Sequence, residues 1–191
     1  MGFSISQLGP TRRLAIVAAV VLVLDQATKL LVLRYLGYAQ EKVILEGFFN
    51  LVHWGNPGAA WSLFNRYASS NMYLAIFAVV ALLVLFATRH HFDVHTRTGQ
   101  MALGLIFGGI AGNLLDRFLR GHVIDFLYFY VSRRGGGEIG FPAFNVADSA
   151  ICIGVGLLFL LSWQKEPEPE DTGRESQRSG RSQPAAEPRA E

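Results

Sequence analysis

GGIAGNLLDRFLRGHVIDFLYFYVSRRGGGEIGFPAFNVAD, residues Gly108 to Asp148, begins inside one very apolar segment and ends inside another. Between those segments stand Asp116, Asp125 and Asp148, near the places where hydrocarbon gives way to water. A carboxylate at membrane depth is costly, so its default reading is a functional one. The stretch predicts two neighbouring membrane helices whose connection brings carboxylates together.

Working outward, Gln100–Leu115 is the helix on one side and Phe144–Trp163 the helix on the other. Gly104, Gly108 and Gly112 recur every fourth residue and make a smooth stripe on the first of these. In a membrane such a stripe lets a neighbour approach closely, because packing holds helices together there. The expectation is that it serves the approach of the two helices flanking Asp125. Asp116 beside Arg117 reads as a structural ion pair. Pro142 suits the start of a helix, Asn145 suits its cap, and Asp148 in the first turn complements the helix dipole.

Met72–Ala87 carries no charge and predicts a further span, capped by Ser69, Ser70 or Asn71. Leu14–Leu36 predicts the first span, since the apolar run resumes after Asp25, Gln26 and Lys29 and no A-x-A-like cleavage site follows it. Asp25 and Lys29 are four residues apart, on one helical face, and can neutralise each other. Whether they only orient the helix or also act at the site is left open by the spacing. Gln40–Asn71 is too polar to cross a bilayer. Val43–Leu45 and Phe48–Trp54 are candidate strands, Asn56-Pro57-Gly58 a turn, and Ala59–Tyr67 a short helix. Trp54, Trp61 and Tyr67 fit an interfacial aromatic belt.

The fold expected is an all-α membrane protein of four transmembrane helices, with a small β-rich element at about residues 40–70 between the first two. Residues 1–13 form a short polar start, 14–163 the membrane domain, and 164–191 a tail rich in Pro, Glu, Arg and Ser that cannot bury a core and is expected to be disordered.

Composition narrows function. The 191 residues are 51% hydrophobic with a mean hydropathy of +0.29, although the tail is almost wholly polar. A formal charge of +2 without basic clusters among stacking aromatics argues against nucleic acid. Cys152 is the only cysteine, so no internal disulfide or cysteine metal site is available, and it reads as a small buried hydrophobe. His53 stands alone, and His90, His91 and His95 read as a solvated loop in which the first two point apart. No metal or cofactor is expected. Lys and Arg are spread so evenly over the two sides that charge does not decide the orientation of the spans.

Asp125 and Asp148 both flank the connection between the third and fourth spans, so both lie at one membrane face. Two carboxylates sharing a site cannot both ionise easily, and the pair holds one proton. One member can then deprotonate a water while the other protonates a carbonyl or a leaving amine. That is aspartic-protease chemistry without a metal, and no G-x-S-x-G or H-E-x-x-H motif competes with it. A proton or ion pathway is the physical rival, because acids within membranes also mark transporters. No internal repeat is visible, and four spans are few for alternating access. An assembly or scaffold role stands behind both.

DQATK at 25–29, NPGAAWS at 56–62, GGIAGNLLDR at 108–117, HVIDF at 122–126 and FPAFNVADS at 141–149 appear together and in order. By these motifs residues 14–163 resemble the bacterial lipoprotein signal peptidases, or signal peptidase II. The resemblance implies a monomeric aspartic endopeptidase of the inner membrane, with both termini in the cytoplasm and the active site at the outer face among membrane lipids. It implies prolipoprotein substrates whose cysteine carries a diacylglyceryl group, cut just before that cysteine. It implies Asp125 and Asp148 as the catalytic pair, and Asn56, Asn113, Arg117 and Asn145 as polar residues lining the site. Asp25, Lys29 and Asp116 match supporting positions, and 40–70 an extracytoplasmic cradle. Arg133–Gly140, RRGGGEIG, is longer and richer in glycine than the family's usual link, which puts the approach of Asp125 to Asp148 in question.

Overall fold

The structure, a computed structural model, describes residues 9–58, 70–92 and 96–163. The expected helix at Ala59–Tyr67, with Trp61 and Tyr67, lies outside the described residues, as do His95, Ser69 and the tail.

Among the described residues, four helices are long and apolar enough to cross a membrane: α1 (Pro10–Tyr35), α2 (Ser70–Thr88), α3 (Arg97–Arg120) and α4 (Val146–Trp163). Their packing is inside out relative to a water-soluble bundle. On α1 the fully buried side chains are Asp25 and Lys29, while Val23 is 65% exposed; on α2 Phe77 is 71% exposed. Lipid is as apolar as leucine, so exposed hydrocarbon costs nothing there, whereas a charge must find its partners inside the protein.

α3 is the central helix, packed on both α1 and α4. The glycine stripe meets α1, not α4 as its position near Asp125 suggested. A Cβ at Gly104 would stand 2.7 Å from Val17 Cβ, one at Gly108 2.6 Å from the Ala18 carbonyl oxygen, and one at Gly112 2.5 Å from Asp25 Oδ2. The contact with α4 uses other glycines, Gly109 beneath the Ala147 carbonyl and Gly154 of α4 beneath that of Ala102. Residues three or four apart share a face, and Gly109 is one step off the stripe. α2 packs mainly on α3. Asn71 donates from Nδ2 to the Arg117 carbonyl at 3.3 Å, which ties the start of α2 to the end of α3.

The β structure is larger than expected and is drawn from two connections. β1 (Glu41–Leu45) and β2 (Phe49–Asn56) lie between α1 and α2; β3 (Val123–Ser132) and β4 (Glu138–Gly140) lie between α3 and α4. They form one antiparallel sheet in the order β1-β2-β3-β4. The all-α expectation is corrected accordingly: Val123–Ser132, rich in β-branched and aromatic residues, is a ten-residue strand rather than a loop. Because β2 pairs with β3, both connections sit at the same end of the bundle. Gly121, with φ 75°, ends α3 in the left-handed conformation that glycine adopts without a steric penalty and turns the chain into β3. Aromatic rings bind the sheet to the start of α4, with Phe129 stacked on Phe49 at 4.7 Å and on Phe144 at 5.9 Å.

Arg133–Gly140 does not separate the two carboxylates. Gly136 and Gly137 have φ of 87° and 85° and turn the hairpin from β3 into β4. That turn lies beyond Ser132, at the end of β3 remote from Asp125. His90 and His91 do not point apart as expected: on a single 3-10 turn, Arg89–His91, their ring centroids lie 4.3 Å from each other.

Candidate active site

Three separate local structures converge on the carboxylates. Asp125 stands near the start of β3, in register with Trp54 of β2. The segment before α4 is held to the same strand, since Phe126 and Leu127 both donate their N–H to the Phe144 carbonyl and Phe144 returns one to Leu127. The next residue, Asn145, is thereby set against Asp125. Asn145 and Asp148 then cap α4 reciprocally: Asp148 N–H donates to Asn145 Oδ1 at 3.0 Å, and Asn145 N–H donates to Asp148 Oδ2 at 3.2 Å. This is the capping-box arrangement with Asn and Asp in place of Ser and Glu. The expected cap at Asn145 and the dipole-favoured acid at Asp148 are both present.

Three asparagine amides face the two carboxylates, and in each the orientation is fixed by a partner that can only donate. Asn56 Oδ1 accepts from Gly58 N–H at 3.0 Å, leaving Nδ2 to donate to Asp125 Oδ2 at 3.0 Å. Asn145 Oδ1 accepts from Asp148 N–H, leaving Nδ2 to donate to Asp125 Oδ1 at 2.9 Å. Asn113 Oδ1 accepts from Lys29 Nζ at 3.0 Å, leaving Nδ2 to donate to Asp148 Oδ1 at 2.7 Å. An asparagine amide has one acceptor end and one donor end, so a fixed donor at one end decides what the other offers. Asn145 is the link between the pair, its side chain on Asp125 and its backbone on Asp148.

Beneath them lies a buried charge network. Lys29 is completely buried and has three acceptors for its three protons: Asp25 Oδ2 at 2.8 Å, Asp116 Oδ2 at 2.8 Å and Asn113 Oδ1. Asp25 Oδ1 accepts from Ala147 N–H at 3.0 Å in the first turn of α4, where the dipole favours a negative charge. Asp116 pairs with Lys29 and Arg120, and not with Arg117 as the sequence suggested. Adjacent residues on a helix point in different directions, whereas an acid four residues before a base shares its face. Arg117 instead donates from Nη1 to the Asn113 carbonyl at 3.2 Å and lines the cavity with the carboxylates. Sequence reasoning missed two members of the network. Gln26 donates to Asp25, to Asp116 and to the Gly112 carbonyl, and Arg120 reaches both Asp116 and Gln26. The spacing from Asp116 to Arg120 was the available signal.

Asp125, Asp148, Asn113 and Arg117 open onto one cavity of about 760 Å³, whose other walls include Trp54, Phe141 and Phe144. Burial pushes the Asp125 carboxyl up to about 7, and the charge of Asp148 adds to that rise; hydrogen bonds from Asn56 and Asn145 oppose it. At neutral pH one carboxyl of the pair can therefore hold a proton while the other accepts one. Among the described residues no group of His, Cys, Asp and Glu is placed to hold a metal. His53 is buried against the Leu36 carbonyl, with Nδ1 at 2.9 Å from it.

Cys152 is exposed and lines the same cavity, which corrects the expectation of a buried thiol. It makes no hydrogen bond to either carboxylate, whose partners are given above. Cys152→Ala is expected to retain turnover within about twofold, since exposed substitutions away from specific interactions are nearly neutral. A purified-enzyme cleavage assay checks this, and a marked loss would give the thiol a part in catalysis.

Four membrane-length helices, one small sheet and carboxylates held by amide donors at one end of the bundle define a multi-pass membrane enzyme. Known proteins agree. A sequence model of signal peptidase (SPase) II matches residues 17–164. A lipoprotein signal peptidase of Desulforapulum autotrophicum is 40% identical over 160 residues, 82% of this chain and 95% of its own. That of Geobacter metallireducens is 41% identical over 149 residues, 78% of this chain and 89% of its own. A bacterial membrane enzyme solved in meso at 2.3 Å resolution superimposes with a TM-score of 0.64 and 29% identity, over 81% of this chain and 93% of that one. The chain belongs to the signal peptidase II family of aspartic endopeptidases.

Proposed function

We propose that this protein removes signal peptides from diacylglyceryl-modified prolipoproteins by cutting just before the lipidated cysteine, with Asp125 and Asp148 as the catalytic pair. The observation that carries the reading is the shared cavity of the two carboxylates, joined through Asn145. Asp148 accepts a proton from a water, and the hydroxide attacks the scissile carbonyl carbon. Asp125 gives its proton to the carbonyl oxygen as that oxygen becomes negative. Collapse of the tetrahedral intermediate breaks the C–N bond; Asp148 returns its proton to the leaving nitrogen and Asp125 recovers one from the hydroxyl. The pair ends as it began, and no metal takes part. Arg117 and Asn113 flank the reacting carbonyl, while Trp54, Phe141 and Phe144 give the lipidated residue an apolar wall. Asp25, Lys29 and Asp116 act through Asn113 as positioning residues.

The sheet end of the bundle is the outer face of the bacterial inner membrane in this reading, with the sheet as a cradle and both termini in the cytoplasm. Residues 14–163 are the peptidase domain, working as a monomer among membrane lipids.

Lipidated and unlipidated prolipoprotein offered side by side to the purified enzyme test the proposal. Release of the signal peptide from the lipidated form alone is the expected result. Proton-coupled flux in liposomes without peptide release would favour the transporter reading instead.

The pH profile gives a sharper test. Catalysis needs a proton on Asp125, so kcat/KM is expected to fall as pH rises through about 7. Asn56 donates to the ionised carboxylate and holds that value down. Removing it in Asn56→Ala therefore moves the falling limb to higher pH. A limb that stays in place or moves down would separate Asn56 from the titrating group.

A further inference from the structure

One face of the sheet runs from the carboxylates to a patch that the reaction leaves unused. Phe126 and Leu127 share one acceptor, the Phe144 carbonyl, so β3 is bulged there and its side-chain alternation resets. Asp125, Tyr128 and Tyr130 therefore face the same way. The Trp54 ring, which walls the carboxylate cavity, lies 4.9 Å from that of Tyr128, and Tyr130 stacks on Tyr128 at 5.5 Å. Gly140 of β4 leaves room for Tyr128, since a Cβ there would collide with the tyrosine ring. Glu41 of β1 and Glu138 of β4 flank the rings from the two edges of the sheet, and both are exposed. Burial first, then the charges of Glu138 and Glu41, push the Tyr128 phenol up, a sign of how near both carboxylates stand. Lys42, beside Glu41, alternates onto the other face with Leu51. Among the described residues neither glutamate is paired with a cation. Asn50, opposite Tyr128 and only 3% exposed, donates from Nδ2 to Glu41 Oε2 at 3.4 Å, and its Oδ1 has no partner among the described residues.

The groups that lack partners on this face are thus acceptors beside aromatic rings. Their match is a cation with several protons to donate, an ammonium or a guanidinium, which also gains from the face of a tyrosine. We infer that this face is a subsite for a lysine or arginine of the substrate, within about the first four residues after the lipidated cysteine. The inference rests on the proposed peptidase activity. A signal peptide is apolar and belongs to the membrane, whereas the mature chain leaves the carboxylates on the side of the sheet. Tyr128 stands three residues past Asp125 on β3, about 10 Å along a strand, which an extended peptide covers in about three residues. The opposite face does not compete for a charged chain: Val131 and Ile139 pair there, both about half exposed, the chemistry of a surface that suits hydrocarbon.

Lipidated prolipoproteins identical but for Lys, Gln or Glu at the second, third or fourth residue after the cysteine test this. The unaltered enzyme is expected to favour Lys over Gln by about fivefold in kcat/KM at the best position, through KM, as a partly exposed ion pair beside an aromatic ring allows. Glu there is expected to be the poorest of the three, and added salt to shrink the preference. Glu41→Gln combined with Glu138→Gln, conservative changes at exposed positions, is expected to erase the preference and to keep turnover of the Gln substrate. Glu41→Lys combined with Glu138→Lys is expected to reverse it in favour of Glu. Equal kcat/KM for Lys and Gln at every position, or a Lys preference that survives both double variants, would overturn the subsite. So would equal losses on the Lys and Gln substrates when both glutamates become glutamine, a result that assigns them to lipid headgroups or to folding. Failure of the unaltered enzyme on every substrate would instead count against the peptidase activity itself.

Discussion

Asp148→Asn or Asp125→Asn is expected to lower kcat by about 10³-fold or more, in the range by which positioned acids and bases accelerate proton transfer. Asparagine keeps the size of the side chain but can neither take a proton from water nor give one to a carbonyl oxygen. The two losses are not additive, because either one ends the same proton exchange; the double variant is expected to be about as slow as the singles. Stability separates this result from misfolding. Asp125 has a carboxyl raised to about 7 by burial and by Asp148, while an unfolded aspartate titrates near about 3.9. The folded protein therefore binds a proton that the unfolded chain releases between those values. Stability from this group is present below about pH 4 and is lost as pH rises through about 7. Asp125→Asn removes that loss, so its unfolding temperature is expected to gain on the unaltered protein as pH rises across that window. Thermal unfolding in detergent at pH 5 and pH 8, beside turnover, checks both halves. Near-normal turnover in either variant would remove the pair from the mechanism.

The spans were legible in the sequence because a membrane helix needs only a long apolar run, and each of the four was found within a few residues. The site motifs were legible because acids and amides in apolar surroundings are conspicuous. What the sequence concealed was partnership. Asp116 offered Arg117 next door and Arg120 a turn away, and adjacency was the misleading cue. The glycine stripe had the right chemistry for close packing, but nothing in its spacing says which neighbour it meets. Val123–Ser132 was hidden by its context: a strand between two membrane helices has no visible partner until β2, more than sixty residues earlier, pairs with it. Cys152 looked buried because its surroundings in sequence are apolar, yet in a membrane an apolar neighbourhood is as often the outside.

Lys29→Met is expected to cause the largest loss of stability among the supporting residues. Lys29 is wholly buried and neutralises Asp25 and Asp116 together. Removing one partner from a buried ionic cluster leaves an uncompensated charge and costs about 3–5 kcal/mol, which corresponds to a fall in unfolding temperature of roughly 10 °C. The sign of a second substitution tests the cause. With Lys29 gone, Asp116 still has Arg120, but Asp25 keeps no cation among its hydrogen-bond partners, Gln26 and Ala147 N–H. Asp25→Asn added to Lys29→Met removes the surplus charge, and its amide oxygen can still accept from Ala147 N–H. The double variant is therefore expected to be more stable than Lys29→Met alone, although Asp25→Asn by itself weakens the intact protein. Activity is not expected to return with stability. Without the Lys29 ammonium, the Asn113 oxygen keeps only the 3.2 Å bond from Asn145 Nδ2 to turn it away from Asp148, and the donor that steadies the catalytic carboxylate is held less firmly. A double variant that recovered full turnover would reduce Lys29 to charge balance alone; one less stable than Lys29→Met would show that the cluster is held by packing rather than by its charges.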